Sequence, residues 1–137
     1  MAKLPDSTIV NIFTLQRRLA ECLESTTAME FSLFQQFGET AETAPELEEL
    51  VNIRERLLSL YNRLHNIYLR VVQSQPIASE DLLNLLDKSI EQSETSIDTS
   101  IASLQDIQRK TIVFIDSSIL GKICNPNNNR SLHMGKV

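Results

Sequence analysis

Two histidines, His65 and His133, bound the acid–base and metal chemistry open to this chain. A di-iron carboxylate bundle places Glu three residues before His on each of two helices, so that both ligands share a face. Here Asn62 stands three residues before His65 and Arg130 three before His133, which removes that class. His65 is also the residue that a Ser/His/Asp arrangement would have to recruit, but no strand-turn-helix nucleophile elbow accompanies it. A lone histidine on a helical face reads as structural. With Tyr61 and Arg54, His65 makes the one cluster from which a small-molecule site inside a bundle could be built.

The other chemical signals are equally sparse. Gly38, Gly121 and Gly135 are isolated and form no phosphate-binding loop, and the carboxylates follow no calcium-loop spacing. Cys22 and Cys124 lie far apart, with no second pair and no nearby histidine to complete a metal site. Cys22 falls on an apolar stripe and is expected to be a small buried hydrophobe, whereas Cys124 borders a polar tail. No catalytic residue, metal or cofactor is expected.

The elements that would have to position such residues are helical. The chain has 137 residues with 42% hydrophobic, 5% aromatic, 3 Gly, 4 Pro and no Trp. That is one domain's length, with enough apolar content for a core and too few turn residues for a sheet-based fold. The net charge of −5 argues against DNA or RNA as a partner, because a duplex-binding surface needs a concentrated positive field. The amino-terminal stretch "MAKLPDSTIVNIF" lacks the basic-then-apolar pattern of a secretion signal, and no window is apolar enough to span a bilayer. A cytoplasmic location is expected.

Three segments carry helical periodicity. The first, about 7–37, sets Ile9, Ile12, Leu15, Leu19, Cys22, Leu23, Met29, Leu33 and Phe37 on one stripe, with Phe13, Ala20 and Phe34 off it as a second surface. Asp6 or Ser7 is expected to cap its start, and Gly38 to follow its end in a left-handed conformation. The second, about 44–74, opens with Thr43 and Glu46 in capping-box spacing and Pro45 in the first turn. Leu50, Leu57, Leu64 and Val71 then alternate with Ile53, Leu60 and Ile67 as a heptad seam, widened by Tyr61 and Tyr68. The third, about 80–120, is capped by Ser79 and is longer than either partner. Connections of about six residues favour sequential antiparallel neighbours, giving an all-α, up-down-up three-helix bundle over 1–120. The surplus of the third segment either overhangs or folds back as a short fourth helix. Residues 121–137 are polar and rich in asparagine, a composition expected to stay disordered.

Three features remain unabsorbed. Arg56, Arg63 and Arg70 recur at steps of seven, a row that could bind phosphates but matches better the flanking positions of interhelical ion pairs; Glu94, Asp87 and Asp98 on the acidic third segment are the expected partners. Ser89, Ser93, Ser96, Ser100 and Ser103 follow at steps of 4, 3, 4 and 3, a line that leucine normally occupies. Either it is a close-packing ridge, with each hydroxyl bonded to the carbonyl four residues earlier, or it is a solvated edge. Finally, "KTIVFIDSSILGKIC" is the most apolar stretch, and its Ile112, Phe114, Ile115, Ile119, Leu120 and Ile123 form a candidate partner interface.

Surplus apolar surface combined with missing chemistry implies a non-enzymatic protein–protein interaction module: an adaptor, an assembly factor or a small regulatory scaffold. It would act through a protein partner, a homo-oligomer or both. A membrane surface fits less well, since the apolar stretch is too short to span and lacks a basic cluster. A chaperone or secretion-type escort for one client is the alternative, and a small-molecule-binding bundle the third reading.

Overall fold

Pro5 turns the chain into the first helix, α1 (Asp6–Phe37). A six-residue connection leads to α2 (Ala44–Gln73), and a second to α3 (Glu80–Lys122). The computed structural model describes residues 4–122, with side chains described for 4–111, and contains no strand among them. It divides into two units, residues 1–105 and 106–137, and α3 runs through the boundary between them. The helix limits lie within a residue or two of those read from the periodicity. Residues 112–122 continue α3, so the described chain holds no separate fourth helix. The rest of the expected tail, 123–137, lies outside the described residues.

In the first unit the three helices pack against each other around aliphatic side chains. Ile12, Leu15, Leu19 and Leu33 of α1, Leu50, Ile53, Leu57, Leu64 and Val71 of α2, and Leu86 and Ile97 of α3 are almost fully buried. Ile67 is also buried and Leu60 half-buried, so the 3-and-4 spacing of α2 does face inward. Between α1 and α2, Phe13 meets Tyr68 edge to face at 5.6 Å, Gln16 Nε2 lies 3.4 Å from His65 Nδ1, and Arg54 Nε donates to Glu30 Oε1 at 3.2 Å. Between α1 and α3, Arg18 reaches Asp98 at 3.6 Å.

The helix ends separate two kinds of sequence signal. Ser79 caps α3 as its position implies, its Oγ accepting from the Leu82 N–H at 3.1 Å. The expected side-chain cap of α1 is absent: Pro5 takes the cap position, its carbonyl accepting from Thr8 and Ile9, and Asp6 is already in the first turn. The Thr43/Glu46 capping box also does not form. Thr43 sits at φ −98, ψ −16, in the helical region rather than the extended one a cap requires. Its hydroxyl turns back into the connection, donating to the Gly38 carbonyl at 2.9 Å and accepting from the Thr40 N–H at 3.1 Å. Thr43 thus ties down the turn after α1 instead of the start of α2, and Glu46 Oε2 is left buried without a partner.

Gly38 closes α1 at φ 66, ψ −170, with its N–H on the Phe34 carbonyl at 2.8 Å. Only glycine reaches this region without strain. A Cβ there would meet no atom within 4 Å, so the penalty of a substitution is conformational and not steric. Gly38→Ala is therefore expected to lower stability by about 1–3 kcal/mol in denaturant unfolding. A loss below about 0.5 kcal/mol would mean that the connection relaxes to another conformation.

Candidate interaction surfaces

Two of the three residues that sequence reasoning grouped for small-molecule binding have polar partners on α1. Arg54 is committed to Glu30 of α1, with both side chains partly exposed, and His65 faces Gln16. Tyr61 is half-buried. Among the described residues no group of three or more His, Cys, Asp or Glu could hold a metal ion.

Cys22 is buried on the inner face of α1. Burial raises its thiol pKa above the ordinary range by disfavouring the thiolate, and the Arg18 guanidinium offsets part of that rise. Both burial and the raised pKa lower the thiolate fraction on which nucleophilic attack depends. One turn on, Thr26 is fully buried with its hydroxyl on the Cys22 carbonyl at 2.8 Å. Thr26 and the buried Gln16 belong to the inner face although their polarity hid them from a reading based on apolar spacing. Their steps from Leu19 and Ile12, seven and four residues, were the available signal.

The arginine row does not pair as expected. Arg56, Arg63 and Arg70 are exposed and make no ion pair among the described residues, while Asp98, one of their expected partners, is taken by Arg18. The three arginines recur on the solvent side of α2.

The serine line lies largely inside. Ser89, Ser93 and Ser100 are 1%, 0% and 0% exposed, while Ser96 and Ser103 are half-buried. A wholly solvated edge is thereby ruled out at three of the five positions. The expected back-bonding is absent as well, because the hydroxyls of Ser89, Ser93 and Ser100 have no hydrogen-bond partner. Threonines do make that bond: Thr26, Thr27, Thr99 and Thr111 each donate to the carbonyl four residues earlier at 2.8–3.0 Å. Serine can make it too, as Ser74 does at the end of α2, donating to the Arg70 carbonyl at 2.7 Å.

Of the candidate partner interface, Ile112, Phe114, Ile115, Ile119 and Leu120 lie on the backbone of α3 with side chains outside the described set, and Ile123 lies outside it altogether. A different apolar surface is visible. Val10, Phe13, Phe31 and Phe34 of α1 are 63%, 53%, 65% and 56% exposed, and Leu69 and Val72 of α2 are also open to solvent. Sequence reasoning marked Phe13 and Phe34 as off the core stripe but missed Val10 and Phe31. None of the described helices is long and apolar enough to cross a membrane.

Two outcomes test these assignments. Ser93→Ala is expected to stabilise by about 1 kcal/mol, since it removes a buried hydroxyl without a partner, and Ser93→Leu to destabilise by about 1–3 kcal/mol through overpacking. Denaturant unfolding of both variants checks the sign, and a neutral Ser93→Leu would place the residue at a loose surface. Cys22 is expected to alkylate far more slowly in the native chain than in denaturant, as peptide mapping would show. Its folded pKa is raised, so its contribution to stability is intact below the ordinary thiol pKa and is lost as pH climbs through the raised value. No family model matches the chain, and neither does any curated protein or solved structure.

Proposed function

We propose that this protein is a non-enzymatic helical interaction module, an adaptor, assembly factor or small scaffold that works by presenting apolar helix faces to another protein. The observation that carries the reading is the set of large apolar side chains left open on α1 and α2, with Phe31 at 65% and Val10 at 63% exposure. Aromatic groups in water on a rigid helix are what protein interfaces concentrate. The acidic balance of the chain, −5, supports a protein rather than a nucleic acid as the partner, and a cytoplasmic setting belongs to the same reading.

The scaffold in this proposal is an up-down-up bundle with heptad-like seams. Its support is the order of partners between α1 and α2: Phe13 with Tyr68, Gln16 with His65, and Glu30 with Arg54, falling along α2 as they rise along α1. The apolar stretch from Ile112 to Ile123 is the second surface of the module, on sequence grounds.

Capture with the full chain from its native source tests the function. A stoichiometric protein is expected with the wild type and is expected to be lost on Ile115→Glu or on Phe34→Glu, depending on which surface it uses. Recovery of no protein, together with strictly monomeric sedimentation, would remove the reading.

A further inference from the structure

The exposed apolar residues of α1 are not scattered. Phe13 and Phe31 are about five helical turns apart, so both leave the helix in the same direction. Val10 lies one turn before Phe13 and Phe34 one turn after Phe31, which makes both pairs symmetric about position 22 in the sequence. On the same outer face, Arg17 lies on the amino-terminal side of that midpoint and Glu24 on the carboxy-terminal side. All six residues are exposed.

We propose that this face is the contact surface of a homodimer, in which two copies pair α1 against α1, antiparallel, about a two-fold axis passing near residue 22. The inference rests on the interaction-module reading and narrows it to a second copy of this chain. A two-fold interface must be complementary to itself, and this face is so in one orientation only. The antiparallel pairing sets Phe13 of one protomer opposite Phe31 of its partner and Val10 opposite Phe34. It also brings Arg17 of each within about one turn of Glu24 of the other. A parallel pairing would stack Arg17 on Arg17 and Glu24 on Glu24. An unrelated partner would have no need of a face symmetric about its own midpoint.

The face is prepared for such a contact. Phe13 is braced edge to face against Tyr68 with an interplanar angle of 77°, so its ring needs little ordering on association. Arg17 bonds Glu21 of its own helix at 3.4 Å, with side chains 81% and 63% exposed, a pair weak enough to be exchanged for one across the dimer. One helix row on each side makes a small interface, so a weak, reversible dimer is expected.

Sedimentation velocity of the full chain over a concentration series, at low and high salt, tests the proposal. The expected result is a monomer–dimer equilibrium that weakens with salt. Phe31→Glu should raise the dissociation constant by about tenfold or more while leaving the unfolding midpoint unchanged, because the residue is 65% exposed and outside the set of buried core residues. Arg17→Glu and Glu24→Arg should each weaken the dimer, and the double reversal should restore it. A dimer indifferent to all of these overturns the proposal. If that dimer is lost instead on Ile115→Glu, self-association belongs to the carboxy-terminal stretch, and the interaction-module reading survives without the α1 face. A chain that stays monomeric throughout also overturns the dimer, and the module reading is then decided separately by the capture experiment.

Discussion

Burial of aliphatic side chains along α1, α2 and α3 is the constraint from which the rest follows. Each of these helices has an apolar face that water disfavours, and a fully buried Leu or Ile contributes about 1.5–3 kcal/mol. The polar links between helices are weaker by comparison. Arg18–Asp98 and Arg54–Glu30 are partly exposed pairs of a kind that contributes about 0–1 kcal/mol. The leucines and isoleucines therefore hold the helices together, and the ion pairs adjust register within an arrangement already determined. With 5% aromatic residues and no Trp, the core has almost no large ring to anchor it. Among the described residues Phe13, Phe31 and Phe34 are exposed and Phe37, Tyr61 and Tyr68 half-buried, so no aromatic ring is fully buried there.

The helices and their inner faces were legible in the sequence because periodicity is a local property. Leu50, Ile53, Leu57, Leu64, Ile67 and Val71 announce a buried face by spacing alone, and they are buried. Ser79 before Glu80 and Asp81 announces a cap for the same reason, and it caps. What was not legible depends on neighbours. The Thr43 hydroxyl has a choice between the first turn of α2 and the turn left by Gly38, and only the path of the connection decides it. Arg56, Arg63 and Arg70 have the spacing of ion-pair positions, but spacing cannot say which side of α2 meets α3. Gln16 and Thr26 are buried because of where they lie on α1, against the tendency of their side chains.

The surfaces were legible to different degrees for the same reason. A residue off an apolar stripe is either on a second face or merely exposed, and sequence does not distinguish the two. The heptad-related spacing of Phe13 and Phe34 marks them as a second face, whereas Val10 and Phe31 each lie one turn from one of these residues and outside that spacing. The exposure values group all four. That grouping turns a list of off-stripe residues into a surface with direction and symmetry.

The serine line shows how a small side chain can set the balance between helices. Where Leu86 and Ile97 meet the other helices, α3 gains the full contribution of a large apolar group. At Ser89, Ser93 and Ser100 it gains almost none, and each unpartnered hydroxyl carries a desolvation cost of about 1–3 kcal/mol. Alanine would fill nearly the same volume without that cost, so stability does not account for serine at these positions. The consequence is an uneven bundle. The inner face of α2 carries large aliphatic residues along most of its length, while that of α1 mixes leucine and isoleucine with Gln16, Cys22 and Thr26; the Phe13–Tyr68 and Arg54–Glu30 contacts reinforce the pair. Over residues 89–100 α3 contributes three buried serines and one fully buried isoleucine, Ile97, to the core of the first unit. Local opening follows the element with the least apolar burial per turn, and by that criterion the central part of α3 is held less firmly than α2, whose buried Leu50, Ile53, Leu57, Leu64, Ile67 and Val71 run along most of its length.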